Sequence, residues 1–383
     1  MKLVREMMDF RITDEQKNYV ENLRKFINTT INKEDMSFYD KWKACAEYGI
    51  FGIPYNEQYN GLGEDFLTAA LIMEELGYSC TDSGFSFAIT NHMWACLNSI
   101  YRLGNELQKR EYIPYMISGD KIGALALTSA EKGSDVMNVG VKASKVNGGY
   151  LLCGSKTYIS NGPIADIIVV SARTGSVGSL NSISCFICEV EKDGIKKGES
   201  IEKMGLNNCP MSEIFFDNVF IPEHRILGNI GNGIQTINKI MQWERVYEFA
   251  VQIGIMKKLM EKSIVYCNNR GLNEYQAITH KIAKMKIGIE LSELLMYKIA
   301  CLDTEKQDIY LESSIFKYFV SEEYTKLCLD VLQIFGAYGY TVESGIEQMV
   351  RDALSSTIYA GTSEVQLNII YKLTQNKLFL REK

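Results

Sequence analysis

The chain has 383 residues, 46% hydrophobic and 23% charged, which suits a soluble globular protein of two to three domains. Its 41 Lys and Arg against 47 Asp and Glu leave a net charge of −6, which excludes the clustered basic excess of a nucleic-acid binder. No run of about 18 apolar residues predicts a membrane span, the start Met1-Lys2-Leu3-Val4-Arg5-Glu6 lacks a signal-peptide core, and the ten cysteines read as reduced thiols of a cytoplasmic protein.

Taken in chain order, the first expected element is a helix capped by Asp14, with Val20, Leu23, Phe26 and Ile27 on one face. Helices are expected around Phe66–Leu76, Ser86–Leu103 and Glu106–Met116, with turns at Gly61-Leu62-Gly63 and at Gly77. From about 121 to 222 the pattern changes to β-branched, alternating stretches. Strands are expected at Val136–Val146, Tyr150–Ser155, Ile167–Ala172, Ser182–Val190 and Glu213–Val219, with a hairpin at Gly148-Gly149. All five prolines (Pro54, Pro114, Pro163, Pro210 and Pro222) lie before the last 161 residues (383 − 222). Because proline breaks helix interiors, that tail predicts long packed helices. The fold class is therefore mainly α with a small β domain, divided at 1–120, 121–228 and 229–383.

Cofactor and metal signatures of the usual kinds are missing. No glycine-rich dinucleotide turn or phosphate loop occurs. Cys185 and Cys188 have zinc-like spacing but stand alone, on opposite faces of a strand. The informative segments are three. In the first, Ala126–Asp135 and Gly154–Gly162 carry small and hydroxyl residues at two turns, suited to a large polar ligand or to plain turn chemistry. In the second, Gln333–Tyr340, then Arg351-Asp352, precede Ile358–Gln366, whose Gly361-Thr362-Ser363 reads as a helix start able to face a polarised oxygen. The third is Met241–Met256, a helix apolar on several faces that nonetheless carries Glu244 and Glu248. Buried carboxylates are usually paired, and Arg245 is the expected partner of Glu248.

Together these segments, with Ile53-Pro54-Tyr55, Met204-Gly205 and Phe216–Pro222, resemble the acyl-CoA dehydrogenase family over essentially the whole chain. The resemblance implies an N-terminal helical domain, a β-barrel-like middle domain and a C-terminal four-helix bundle. It implies FAD, and a homotetramer whose flavin sites use two subunits. By position, Leu127, Thr128, Gly133 and Ser134 are expected along the flavin, with Tyr158 and Ser160 beside its ring. Gln333 and Gly336 are expected to reach the dinucleotide of a neighbouring subunit, Thr362 and Glu364 to touch it, and Arg270 to meet the pyrophosphate. Between Arg270 and Gln276 the loop is shorter than the family's.

Much of the family carries its catalytic glutamate where this chain has Ala360. A minority places the base on the bundle helix before an arginine, and Glu244-Arg245 fits that pattern. A dehydrogenase needs a base, so Glu244 is the expected one. Trp243, Arg245, Ala360 and Gly361 are the expected substrate contacts, Ala360 through its N–H. Glu244 with Ala360 also resembles a subgroup that oxidises aminoacyl groups, notably prolyl, on carrier proteins of natural-product pathways. The polar Tyr247, Glu248 and Gln252 suit a substrate amine. Short or branched-chain acyl-CoA esters are the alternative substrates, and flavin monooxygenation or a non-catalytic scaffold the alternative roles. Oxygen or an electron-transfer flavoprotein would accept the electrons.

Overall fold

The structure, a computed structural model, describes residues 11–130, 133–135, 139–176, 179 and 181–379. Six helices come first: α1 (Asp14–Phe26), α2 (Phe38–Tyr48), α3 (Phe66–Ser79), α4 (Ser83–Thr90), α5 (Asn98–Leu103) and α6 (Glu106–Ile117). Thr13, not Asp14, caps α1. Its hydroxyl accepts from Gln16 N–H while the Gln16 side chain accepts from Thr13 N–H, a reciprocal pairing that Asp14 is one residue too late to make. A π-helical turn over Asn91–Leu97 links α4 to α5, so the expected Ser86–Leu103 helix is one continuous run.

The middle of the chain forms β1 (Gly123–Ala126), β2 (Lys142–Val146), β3 (Gly149–Ser160), β4 (Ile167–Arg173), β5 (Ile183–Glu189), β6 (Lys196–Lys197), β7 (Met211–Pro222) and β8 (Ile226–Leu227). They make one sheet in the order β6-β7-β3-β2-β4-β5-β8, with β1 parallel to β4. Residues 136–138 of the expected first strand lie outside the described residues, and β2 begins only at Lys142. The short β1, β6 and β8 carry too few residues to show alternation. Gly154–Ser160 is strand, not turn: β3 runs through it against β7, with register shifts at Leu152/Gly154 and Lys156/Ile159. Bulges admit turn-like residues into a strand, which explains the misreading. Cys185 faces the core beneath the N-terminal domain and Cys188 the inner core of the β layer, as strand alternation requires.

The remaining helices are α7 (Gly233–Arg270), α8 (Gln276–Thr304), α9 (Tyr310–Gly339), α10 (Ile346–Ser355) and α11 (Ser363–Phe379). The proline-free tail thus gives helices of 38, 29 and 30 residues. One hydrophobic core runs from α1–α4 into α7, α8 and α9. His92 ties the two halves of the chain's first part together. Its Nδ1 accepts from Gly123 N–H at 2.9 Å and its Nε2 donates to the Met116 carbonyl at 3.0 Å. Burial pushes it down to about 3, so the ring stays neutral and this tautomer is fixed.

Gly77 lies inside α3 and makes no turn. It exists for a helix crossing. A Cβ at Gly77 would stand 1.8 Å from the Val251 carbonyl oxygen, and one at Gly254 only 1.9 Å from that of Glu74. The α3 and α7 backbones therefore touch at two glycines, one from each helix. Gly77→Ala and Gly254→Ala are each expected to destabilise the fold by about 1–3 kcal/mol or more. Urea unfolding midpoints check this; wild-type midpoints for both would contradict the crossing.

Candidate active site

The middle of α7 packs against α3, α8 and α9, and the polar side chains there, Glu244, Arg245, Glu248 and Gln252, are buried. Glu244 is 6% exposed and Glu248 2%. Glu244 Oε2 and both Glu248 oxygens have no hydrogen-bond partner among the described residues. Burial pushes the Glu244 carboxyl up to about 7, against a smaller downward pull from Arg245. Glu248 is raised further, by burial and then by the charge of Glu244 one turn away. The expected Glu248–Arg245 pair does not form. Arg245 is turned elsewhere: Nε donates to the Ala360 carbonyl at 3.1 Å, Nη1 donates to Ser314 Oγ at 3.2 Å, and the guanidinium sits 5.7 Å from the Tyr310 ring centre.

Those contacts brace the turn before α11. Ala360 has φ +53° and Gly361 φ +88°. The left-handed Ala360 costs about 1–3 kcal/mol and needs surroundings that hold it. Gln366 supplies the rest, its Nε2 donating to the carbonyls of Ala360 at 3.2 Å and Gly361 at 2.9 Å. The turn's backbone pairings run from Tyr359 to Ser355, Ser363 to Thr357 and Gln366 to Thr362, and none uses the Ala360 N–H. Thr362 Oγ1 accepts from Val365 N–H at 3.4 Å at the start of α11, and Glu364 is exposed beside it.

On the β side, Thr157 N–H donates to the Thr128 carbonyl at 3.0 Å. Lys156, fully buried, donates from Nζ to the Leu127 carbonyl at 2.6 Å and to Ser171 Oγ at 3.1 Å. Burial pushes its ammonium down to about 7. Leu127, Thr128 and the bulge of β3 thus form one prebuilt ledge. At its end Tyr158 has φ +57° and an exposed ring, Ser160 is half-buried, and Asn161 has φ +60°, anchored by Nδ2 to the Ala88 carbonyl at 2.9 Å. Gly133 and Ser134 are exposed.

The remaining expected site residues make the following contacts. Trp243 lies under Arg102, whose guanidinium is 4.8 Å from its ring centre. Tyr247 donates its hydroxyl to Asp303 at 2.8 Å and stacks on Trp94, so it faces the N-terminal helices and not a substrate amine. Arg270 is exposed at the far end of α7, about 39 Å along the axis from Glu244 at 1.5 Å per residue. Gln333 and Gly336 are exposed late in α9, where Gly336 (φ 59°, ψ −140°) kinks the helix. Within one chain these three do not meet Glu244. Sequence reasoning missed Lys156, Lys317 and Tyr359. Lys317 is fully buried on α9, its Nζ without a hydrogen-bond partner among the described residues, and is pushed down to about 8. Only its place between Phe316 and Val320, both buried, could have signalled it.

Three domain patterns match in order: the acyl-CoA dehydrogenase N-terminal domain at 13–120, the middle domain at 124–219 and the C-terminal domain at 231–374. The chain belongs to the acyl-CoA dehydrogenase family. It is 34% identical over 375 residues to an L-prolyl-[peptidyl-carrier protein] dehydrogenase of Pseudomonas fluorescens, covering 95% of this chain and 98% of that protein. Among solved structures it resembles the prolyl acyl carrier protein oxidase AnaB (30% identity, TM-score 0.92, 95% and 100% of the two chains). It also resembles PigA with FAD and proline (31% identity, TM-score 0.90, 98% and 100%). The family's chemistry is flavin-dependent dehydrogenation of an acyl thioester. Among the described residues no helix is long and apolar enough to cross a membrane.

A carboxyl raised to about 7 by burial ionises only as the pH passes through that value, so turnover that uses the ionised form of Glu244 is expected to rise with pH through about 7. A kcat profile over pH 5–9 checks this; a profile already flat above pH 5 would contradict it.

Proposed function

We propose that this chain oxidises an aminoacyl thioester, prolyl being the favoured group, carried on an acyl or peptidyl carrier protein, with Glu244 as the base and FAD as cofactor. The observation that carries the reading is a dry carboxyl without a hydrogen-bond partner at Oε2, one residue from the arginine that braces the Ala360 turn. The prolyl-specific names of the relatives support the substrate class.

The residues suit FAD. The Leu127 and Thr128 carbonyls are tied by hydrogen bonds to β3, and the left-handed Tyr158 at its end exposes an aromatic ring. Leu127, Thr128, Gly133, Ser134, Tyr158 and Ser160 would hold the cofactor from the β side, Thr362 and Glu364 from the bundle. When bound, FAD supplies the acceptor for the β-hydrogen and its electron pair. The chain's own part is the proton. Glu244 removes it from Cα, and its raised pKa makes it a stronger base than an exposed carboxylate. The Ala360 N–H, which makes no backbone hydrogen bond among the described residues, is the donor for the thioester oxygen, worth about 3–4 kcal/mol when well placed. Arg245 and Gln366 keep that N–H in place by holding the adjoining carbonyls. The buried setting excludes water.

Arg270, Gln333 and Gly336 would serve the site of a second copy in a homotetramer, since each is exposed and remote from its own Glu244. The domains are assigned to 1–120, 121–228 and 229–383. Oxygen or an electron-transfer flavoprotein would reoxidise the cofactor.

Mass spectrometry of prolyl-carrier protein after incubation should show loss of two hydrogens. Glu244→Gln should lower that rate by about 10²–10⁴-fold while still binding flavin. Turnover of isovaleryl-CoA alone, or full activity of the variant, would overturn the reading.

A further inference from the structure

Glu248 is a buried carboxyl that the proposed reaction leaves without a task. Neither of its oxygens has a partner, and Gln252 Oε1, one turn further on, has none among the described residues either. Unsatisfied buried acceptors are rare in folded proteins and mark sites that receive something. Both side chains line a cavity of about 20 Å³, with Thr90, Tyr324, Asp352 and Tyr359 among its walls. Gln252 is oriented there by its Nε2, which donates to the Tyr359 hydroxyl at 2.5 Å. The cavity side of α7 therefore presents two fixed acceptors, one of them able to carry a full negative charge. The charged or titratable groups around Glu248 are Glu244 on its own helix, Lys317 on α9, Tyr359 on the turn, Cys209 from the β layer and, across the cavity, Tyr324 on α9 and Asp352 on α10. Lys317 Nζ makes no hydrogen bond to it.

We infer that Glu248, with Gln252, receives the ring nitrogen of the aminoacyl substrate and so sets the enzyme's preference for a thioester with a secondary amine next to its α-carbon. This rests on the aminoacyl reading above. The placement fits the chemistry. Residues four apart on a helix lie about 6 Å apart along its axis. The substrate's nitrogen is bonded directly to the carbon whose proton Glu244 removes, so two carboxyls at that spacing can address neighbouring atoms of one molecule. A secondary ammonium has two N–H donors, matching the two orphan acceptors. In the free protein burial, and then the charge of Glu244, push this carboxyl up and so favour its neutral form. The entering ammonium takes the place of the carboxyl proton, which is released to solvent, leaving an ion pair and no net buried charge. An ammonium on Cα also makes the adjacent C–H more acidic, in step with the task of Glu244. Glu248 is thus a specificity residue that touches substrate, distinct from the base.

The test compares prolyl-carrier protein with its amine-free isostere, cyclopentanecarbonyl-carrier protein, in the flavin-loaded wild type, Glu248→Gln and Gln252→Leu. Removing one member of a buried ion pair predicts a loss of kcat/KM on the prolyl substrate of about 100-fold or more for Glu248→Gln. The isostere should change by less than about 3-fold, so the preference collapses. Gln252→Leu, which keeps the carboxyl, should lose about 10-fold on prolyl alone. The melting temperature of Glu248→Gln should equal or exceed that of the wild type, because a strained buried acid has gone. Equal losses on both substrates, or an undiminished prolyl rate, would overturn the inference; so would equal losses in Gln252→Leu if Glu248→Gln does not fold. A wild type that oxidises the isostere and not prolyl would show instead that the aminoacyl reading has failed, and would take this inference with it.

Discussion

A carboxylate in a dry interior is the constraint on which this molecule turns. Glu244 is buried, with an oxygen that nothing among the described residues satisfies. Such a group raises the energy of the folded state and is retained only where it has work to do. Its neighbour Glu248 doubles the problem, since two adjacent acids cannot both ionise cheaply. The nearest arginine, which could have relieved either, is committed to a backbone carbonyl and a serine. The electrostatic cost is therefore left standing where a substrate can relieve it.

The rest of the scaffold holds that arrangement still. α3 and α7 meet backbone to backbone at Gly77 and Gly254, which fixes the site helix against the N-terminal helices. Arg245 and Gln366 grip the carbonyls of a strained turn. On the opposite side Lys156 ties the Leu127 carbonyl to β4 through Ser171. One brace is a close backbone packing and the others are buried polar contacts, so this region is held in place before any ligand arrives.

Much of this was legible in the sequence. The proline-free tail announced the bundle, and Glu244-Arg245 with Ala360 singled out the buried carboxyl and the strained turn that Arg245 joins. What was lost was lost for physical reasons. Gly77 read as a turn because glycine's need for close approach is invisible until the crossing partner is known. Gly154–Ser160 read as a turn because a bulged strand uses turn residues. Glu248 was expected to pair with Arg245 on base rates, and only three dimensions show the guanidinium aimed at Ala360, more than a hundred residues away. Tyr247 read as polar, and only the fold shows its hydroxyl bound to Asp303 and its ring stacked on Trp94.

Infrared difference spectroscopy of the flavin-loaded protein, with the spectrum of Glu244→Gln subtracted, reports the protonation of this single carboxyl. A carbonyl stretch of the neutral acid that persists above pH 5 and fades near pH 7 is the expected result. A band gone by pH 5, as for an ordinary solvated glutamate, would contradict the central claim.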